Sequence, residues 1–177
     1  LDLSSEYENL LERYTPECRK YISSAAKRRY ELTENVSPEE LADLCMQNKG
    51  SNLRGVKPGD YKRLINLMHY CISNRKGSIT GLRATRKRLV YGIFKIHLPG
   101  SITILLEGNT AGSIEKHIGH FVINEIIKEA ASTAAILDFA GTSDKSEIHK
   151  GELFGAVNVP YYRIYRNRLF WPARIMK

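Results

Sequence analysis

The stretch from Ala135 to Arg168, AILDFAGTSDKSEIHKGELFGAVNVPYYRIYRNR, decides how the chain is read. Ala135-Ile136-Leu137-Asp138-Phe139 is a short, mostly apolar run, and Gly141-Thr142-Ser143-Asp144 stops it with turn and cap residues. Ser143 or Asp144 is placed to cap a helix running towards Leu153, and Gly155 to close that helix from a left-handed conformation. Val157 to Tyr165 is rich in β-branched and aromatic residues and reads as a second strand. The unit is strand, short helix, strand.

Upstream of it, Ile114 to Ala131 places Ile114, Ile118, Phe121, Val122, Ile126 and Ile127 at helical spacing, which predicts one amphipathic helix. It is fed by Glu107-Gly108-Asn109-Thr110-Ala111-Gly112-Ser113, which reads as a loop. Before that come three strand-like runs, Ser78–Thr85, Leu89–His97 and Ser101–Leu106. Their short links, Arg86-Lys87-Arg88 and Leu98-Pro99-Gly100, force antiparallel hairpins. Further upstream, Tyr30–Thr33 reads as a short strand. Ser37-Pro38-Glu39-Glu40 is a capping box with proline at the first helical position, opening a helix to about Asn48. Asp60 is a second cap, for a helix that buries Tyr61, Leu64, Ile65, Met68 and Ile72 and ends at Gly77. Ser4 to Lys27 reads as helix, capped at Ser4 or Ser5 and restarted at Thr15-Pro16. From Tyr30 onward the order is β-α-α-β-β-β-α-β-α-β. The chain divides into an N-terminal helical segment, 1–29, and a domain, 30–177.

At 177 residues, with 42% hydrophobic and 26% charged residues, the chain suits one globular domain. It contains no apolar run of about 18 residues that would span a membrane. The first residues, Leu1-Asp2-Leu3-Ser4-Ser5, have neither an initiator methionine nor the regions of a signal peptide, so a processed piece of a longer protein is expected. Cys18, Cys45 and Cys71 are scattered and odd in number, which points to buried thiols in a reducing cytoplasm. The net charge of +8 is unevenly placed. Asn74 to Leu106 contains Arg75, Lys76, Arg83, Arg86, Lys87, Arg88 and Lys95 and no acid. Val157 to Lys177 is also free of acids, and Arg19, Lys20, Lys27, Arg28 and Arg29 form a third cluster. A basic surface would attract phosphates, a nucleotide-linked substrate, RNA or lipid; a solvated basic surface is the plainer alternative.

Asp138-Phe139-x-Gly141, then Phe154-Gly155-Ala156, Val159-Pro160-Tyr161-Tyr162-Arg163-Ile164 and Asn167-Arg168-Leu169-Phe170-Trp171-Pro172 resemble the C-terminal end of bacterial GNAT-like acyltransferases, in the branch related to Fem-type peptidyltransferases. The element order agrees with that resemblance. It implies an α+β fold with a mixed sheet: an antiparallel meander plus a parallel strand pair, with helices on both faces. It also implies a site where the strand ending near Leu106 splays from the strand at 135–139, and an upstream GNAT-like half missing from this chain.

The resemblance points to acetyl-CoA or another acyl-CoA as donor, with aminoacyl-tRNA as the Fem-like alternative and no metal. The acceptor would be a small-molecule or peptidoglycan-precursor-type amine. The helix entered at 113–114 offers free amides and a positive dipole end to a phosphate, with Gly108, Asn109, Gly112 and Ser113 around it. The GNAT pyrophosphate signature, Arg/Gln-x-x-Gly-x-Gly/Ala, falls on Asn109 to Ile114 and matches only at Gly112, with Glu115 just beyond. Many GNAT enzymes have a tyrosine four residues before the closing glycine, where this chain has Gly151; Fem-like relatives usually have an aromatic residue and a lysine just before Phe-Gly, where this chain runs Lys150-Gly151-Glu152-Leu153, with Lys150 displaced in register. Glu107, Asp138 and Tyr162 are the candidate catalytic residues: Glu107 to deprotonate an amine, Asp138 as a base or, structurally, to cap the following helix or pair with an arginine, Tyr162 as a residue of the last strand lining the site. His117 and His120 have a helical spacing that can bind metal, but no further ligand accompanies them. Three functions are in view: an N-acyltransferase, a non-catalytic GNAT-like binding half that holds an anionic partner, and, resting on charge alone, a nucleic-acid-binding module.

Overall fold

The computed structural model describes residues 1–49, 58–84, 88–114, 117–133, 135–140 and 145–160. Ser143, Asp144, Glu115 and Tyr162, and with Tyr162 most of the expected last strand, lie outside them. The elements are α1 (Tyr7–Glu12), α2 (Pro16–Ala26), β1 (Glu31–Thr33), α3 (Pro38–Lys49), α4 (Pro58–Ser73), β2 (Gly77–Arg83), β3 (Leu89–Leu98), β4 (Ser101–Asn109), α5 (Ala111–Ile114), α6 (Ile118–Ala130), β5 (Ile136–Asp138) and α7 (Lys145–Leu153).

The strands form one sheet in the order β1-β2-β3-β4-β5. The first four are antiparallel neighbours, and β4 and β5 run parallel. Helices cover both faces. On one, α3 and α4 bury Leu41, Cys45, Met68 and Cys71 against Ile79 and Phe94. On the other, α1, α2, α6 and α7 bury Leu10, Cys18, Val122, Ile126 and Phe154 against Leu82, Tyr91, Ile93 and Ile104. The expected mixed sheet between helical layers is therefore present, and residues of the 1–29 segment share this second core.

Several terminators act as their chemistry predicts. Ser37 and Glu40 exchange hydrogen bonds: the Glu40 amide donates to Ser37 Oγ and the Ser37 amide to Glu40 Oε2, each at 3.1 Å. Thr15 Oγ1 accepts from the Cys18 amide at 3.2 Å, ahead of Pro16. At the end of α7, the Ala156 amide donates to Gly151 O and the Gly155 amide to Glu152 O, while Gly155 sits at φ +75°. That is a Schellman closure.

Other expectations need correction. Neither Ser4 nor Ser5 caps α1, whose N-cap is Glu6 without a side-chain bond. Asp60 lies inside the first turn of α4, bonded to Arg63, because Pro58 already begins the helix. Gly77 starts β2 rather than ending a helix, since its Cα faces Lys95 O and Phe94 so closely that a Cβ would lie 2.8 Å from the carbonyl. The single helix expected from Ile114 is two, α5 and α6, separated at His117, which adopts a left-handed φ of 53°. The His117 ring stacks on Tyr21 of α2 at 3.6 Å, a contact that holds the strained residue. No strand forms at 157–160. Instead residues 1–3 run along β5: Leu1 N donates to Leu137 O, the Leu137 amide to Leu1 O, and the Leu3 amide to Ala135 O, at 2.8–3.0 Å.

The acid-free stretch is partly neutralised from outside itself. Arg83 forks onto Glu40, and buried Lys95 lies 3.6 Å from Glu129 and 4.0 Å from Glu34. Among the described residues, no helix is long and apolar enough to cross a membrane.

Gly155 gives the sharpest test of this packing. A Cβ there would lie 2.9 Å from Arg13 Cβ and 3.0 Å from Arg13 O, on a backbone already at positive φ. Gly155→Ala should lower unfolding free energy by about 1–3 kcal/mol in denaturant titration, more than Ser37→Ala, expected at ~1 kcal/mol.

Candidate functional site

Three features of the sheet build the site. First, β5 pairs with β4 only at Ser101–Ile136, Ile102–Leu137 and Thr103–Asp138. Beyond Thr103, β4 runs on to Asn109 without β5 beside it. Second, β4 carries a bulge. Phe94 pairs with Leu106 and Lys95 with Ile104, so Leu105 is an extra residue on β4. Third, the bulge reverses the facing of the residues beyond it, because side chains alternate with a period of two. Ile102 and Ile104 face the α6 side, whereas Leu106 and Gly108 face α3. Glu107 and Asn109 therefore lie on the α6 and α7 face. Strict alternation counted from Ile104 through Leu105 would instead point them at α3.

On that face Glu107 is held from two directions. Lys150 Nζ, from α7, donates to its Oε1 at 2.9 Å and to its Oε2 at 2.7 Å. The Tyr91 hydroxyl, from β3, donates to Oε2. The lysine and glutamate side chains are only 16% and 12% exposed, so this ion pair is well shielded from water. It spans the divergence, since α7 comes after β5 while Glu107 belongs to β4. Glycine at 119 lets α6 sit on the Tyr91 hydroxyl; a Cβ there would come within 2.8 Å of it.

His120, one residue on, adds an imidazole to the cluster. Its ring stacks near Phe154 at 5.9 Å and tilts against Tyr21 at 5.0 Å. Burial first, then the Lys150 ammonium, pushes its pKa down to about 4, so it is neutral at physiological pH. His120 Nε2 and Asn109 Oδ1 are both buried and have no hydrogen-bond partner among the described residues.

The other expected residues have different surroundings. Gly108 lies in β4 with its Cα against Leu41 and Cys45, within 3.0 Å of where a Cβ would be, and Cys45 Sγ donates to Glu107 O. Gly112 and Ser113 belong to α5. The Ser113 hydroxyl is engaged with the backbone of Thr110, donating to its carbonyl and accepting from its amide. Asp138 is exposed and accepts from the Ala140 amide at 3.0 Å, a turn-capping bond. It lines a cleft of about 480 Å³ between β5, α7 and residues 156–159, which Glu107 does not line. The structure thus gathers Glu107, Tyr91, Lys150 and His120, with Asn109 two residues along the same face of β4, and leaves Asp138 elsewhere. Tyr91 was invisible in the sequence as a site residue, because only strand register places it beside Glu107. Among the described residues no group of His, Cys, Asp or Glu is arranged to hold a metal.

No protein-family model matches the sequence, and no curated protein matches it. Solved structures do match. FemX superposes with a TM-score of 0.62 at 12% identity, over 81% of this chain and 52% of its own. A protein of Pyrococcus furiosus described as an acetyltransferase superposes at 0.60 and 13% identity, over 78% of this chain and 99% of its own. An aminoglycoside 6'-N-acetyltransferase from Acinetobacter baumannii superposes at 0.56 and 8% identity, over 80% and 99%. The fold is that of the GNAT-like acyltransferases. This chain spans about half the length of FemX.

The state of His120 is testable through stability. Its folded pKa of about 4 lies below the ordinary 6.5, so the unfolded chain takes up this proton first as pH falls. The stability is fully present above about pH 6.5 and is lost as pH drops towards 4. Thermal midpoints measured across this range should fall less steeply in His120→Gln than in the wild type.

Proposed function

We propose that the chain is an N-acyltransferase domain that works where β4 leaves β5, moving an acyl or aminoacyl group onto an amine. The observation that carries this reading is the shielded Lys150–Glu107 pair bridging that divergence. The donor's acyl group would lie in the gap. The amine nitrogen attacks the carbonyl carbon, a C–N bond forms, and the C–S bond of a thioester or the C–O bond of an aminoacyl ester breaks. The proton lost by nitrogen ends on the departing sulfur or oxygen. Negative charge develops on the carbonyl oxygen and then on the leaving atom, and a fixed ammonium in a dry site stabilises both.

Lys150 supplies that charge. Glu107, whose two oxygens already accept from Lys150 and Tyr91, serves to hold it rather than to act as the amine's base. Acetyl-CoA or another acyl-CoA, and aminoacyl-tRNA, remain the two donor classes, with Gly112 and Ser113 of α5 as the phosphate-side contact. The likeness to FemX, of which the chain spans about half, supports a second GNAT-like half packing against this one, and with it a peptidoglycan-precursor-type amine as acceptor. One observation favours the alternative, a non-catalytic half that binds an anionic partner: Gly151 stands where many relatives of this fold carry a tyrosine, packed on Phe139 and Ala156.

The reading is tested by following transfer of radiolabelled acyl groups from acetyl-CoA and from aminoacyl-tRNA to a panel of primary amines. Transfer by the wild type should fall at least about 100-fold in Lys150→Met, less in Lys150→Arg, with donor binding retained. Donor binding without transfer in the wild type would support the non-catalytic half; transfer untouched by Lys150→Met would remove Lys150 from the mechanism.

A further inference from the structure

Two buried hydrogen-bonding atoms near the Lys150–Glu107 pair have no partner among the described residues. Asn109 lies two residues beyond Glu107 on the same face of β4 and pairs with Tyr91 across the β3–β4 ladder. His120 lies in the first turn of α6, beside the glycine on which the Tyr91 hydroxyl rests, and within electrostatic reach of both Lys150 and Glu107. Asn109 Oδ1 is an obligate acceptor, and the neutral imidazole accepts at Nε2 when its proton is on Nδ1. Buried polar atoms in native proteins are paired as a rule, so an exception beside a polar cluster calls for a partner from outside the chain, a water or a ligand.

We propose that Asn109 Oδ1 and His120 Nε2 form the subsite for the acyl-accepting amine, binding it through its N–H groups in the neutral, nucleophilic form. This rests on the acyltransferase reading and names its substrate class: a primary amine with an apolar stem. The chemistry selects for a donor hydrogen, here the amine's N–H. Both atoms are acceptors, and Glu107, the nearby anion, already accepts from Lys150 and Tyr91. The chemistry also selects against charge. Desolvation and the Lys150 ammonium, the causes that keep His120 unprotonated, act in the same direction on an amine bound beside it. An amine must shed its proton before it can attack a carbonyl, so such a subsite prepares the nucleophile without a strong base. The neighbouring ring faces of Tyr21, Phe154 and His117 suit the apolar stem.

Nitrogen-15 NMR of the imidazoles, with n-butylamine as probe, tests this without relying on turnover. In the free protein, His120 Nε2 should give the resonance of an unprotonated nitrogen at neutral pH. It should shift saturably with n-butylamine and not with butyl methyl ether or butyltrimethylammonium, which offer no donor hydrogen. Binding should weaken at least 10-fold in His120→Phe, which keeps an aromatic ring in the stack, and in Asn109→Leu. A protonated Nε2, equal binding of butyltrimethylammonium, absence of any shift with n-butylamine, or full affinity in both variants would overturn the proposal. The two readings fail separately. Acyl transfer whose amine KM ignores both substitutions would leave the transferase standing and remove this subsite. Amine binding here without transfer from either donor would keep the subsite and remove the transferase.

Discussion

The extra residue at Leu105 is the constraint on which the site depends. A strand with strict alternation would send Glu107 and Asn109 into the layer beneath α3, where Leu41 and Cys45 leave room only for the glycine at 108. The bulge breaks that alternation. Glycine then meets α3, and the carboxylate meets Tyr91 and Lys150. A bulge also increases local twist, in keeping with a parallel pair that ends after Thr103. One inserted residue thus sits at both the opening of the sheet and the turn of a polar side chain towards that opening.

Energetics explain why the polar cluster sits so close to the core without dispersing it. A carboxylate shielded from water is costly alone, and the ammonium opposite it is equally so. Paired at 2.7 Å, with Tyr91 completing the carboxylate's bonds, they are mutually satisfied. His120 avoids the same cost by remaining neutral. Within the cluster, the buried side-chain atoms left without a partner among the described residues are one amide oxygen and one ring nitrogen. The left-handed His117, held by its stack on Tyr21, sets the start of α6 and so the position of His120.

Much of the fold was legible in the residues because local signals agreed with one another. The capping box at Ser37, the proline start at Pro16 and the closure at Gly155 are decided within a few residues, and each is found as its chemistry implies. The meander was legible from its short links. The site was legible only in part. Glu107 could be singled out by its place at the end of a strand, but its partners could not, because Tyr91 and Lys150 reach it through register and through a helix 43 residues away in sequence. The bulge leaves no mark in an apolar run such as Ile102 to Leu106. The break at His117 was hidden because the apolar periodicity of the segment gives no sign of a left-handed residue there, and the pairing of Leu1–Leu3 with β5 was hidden because three residues carry no periodicity.

The most direct measurement of the central claim is amide hydrogen exchange of the chain with acetyl-CoA and, separately, with an aminoacylated RNA minihelix. If the gap beyond Thr103 receives the acyl donor, one of the two should slow exchange along Ile104–Asn109, at the start of α6 and in α7 around Lys150. Protection confined to Ile136–Ala140 and residues 156–159, or no protection with either donor, would contradict it.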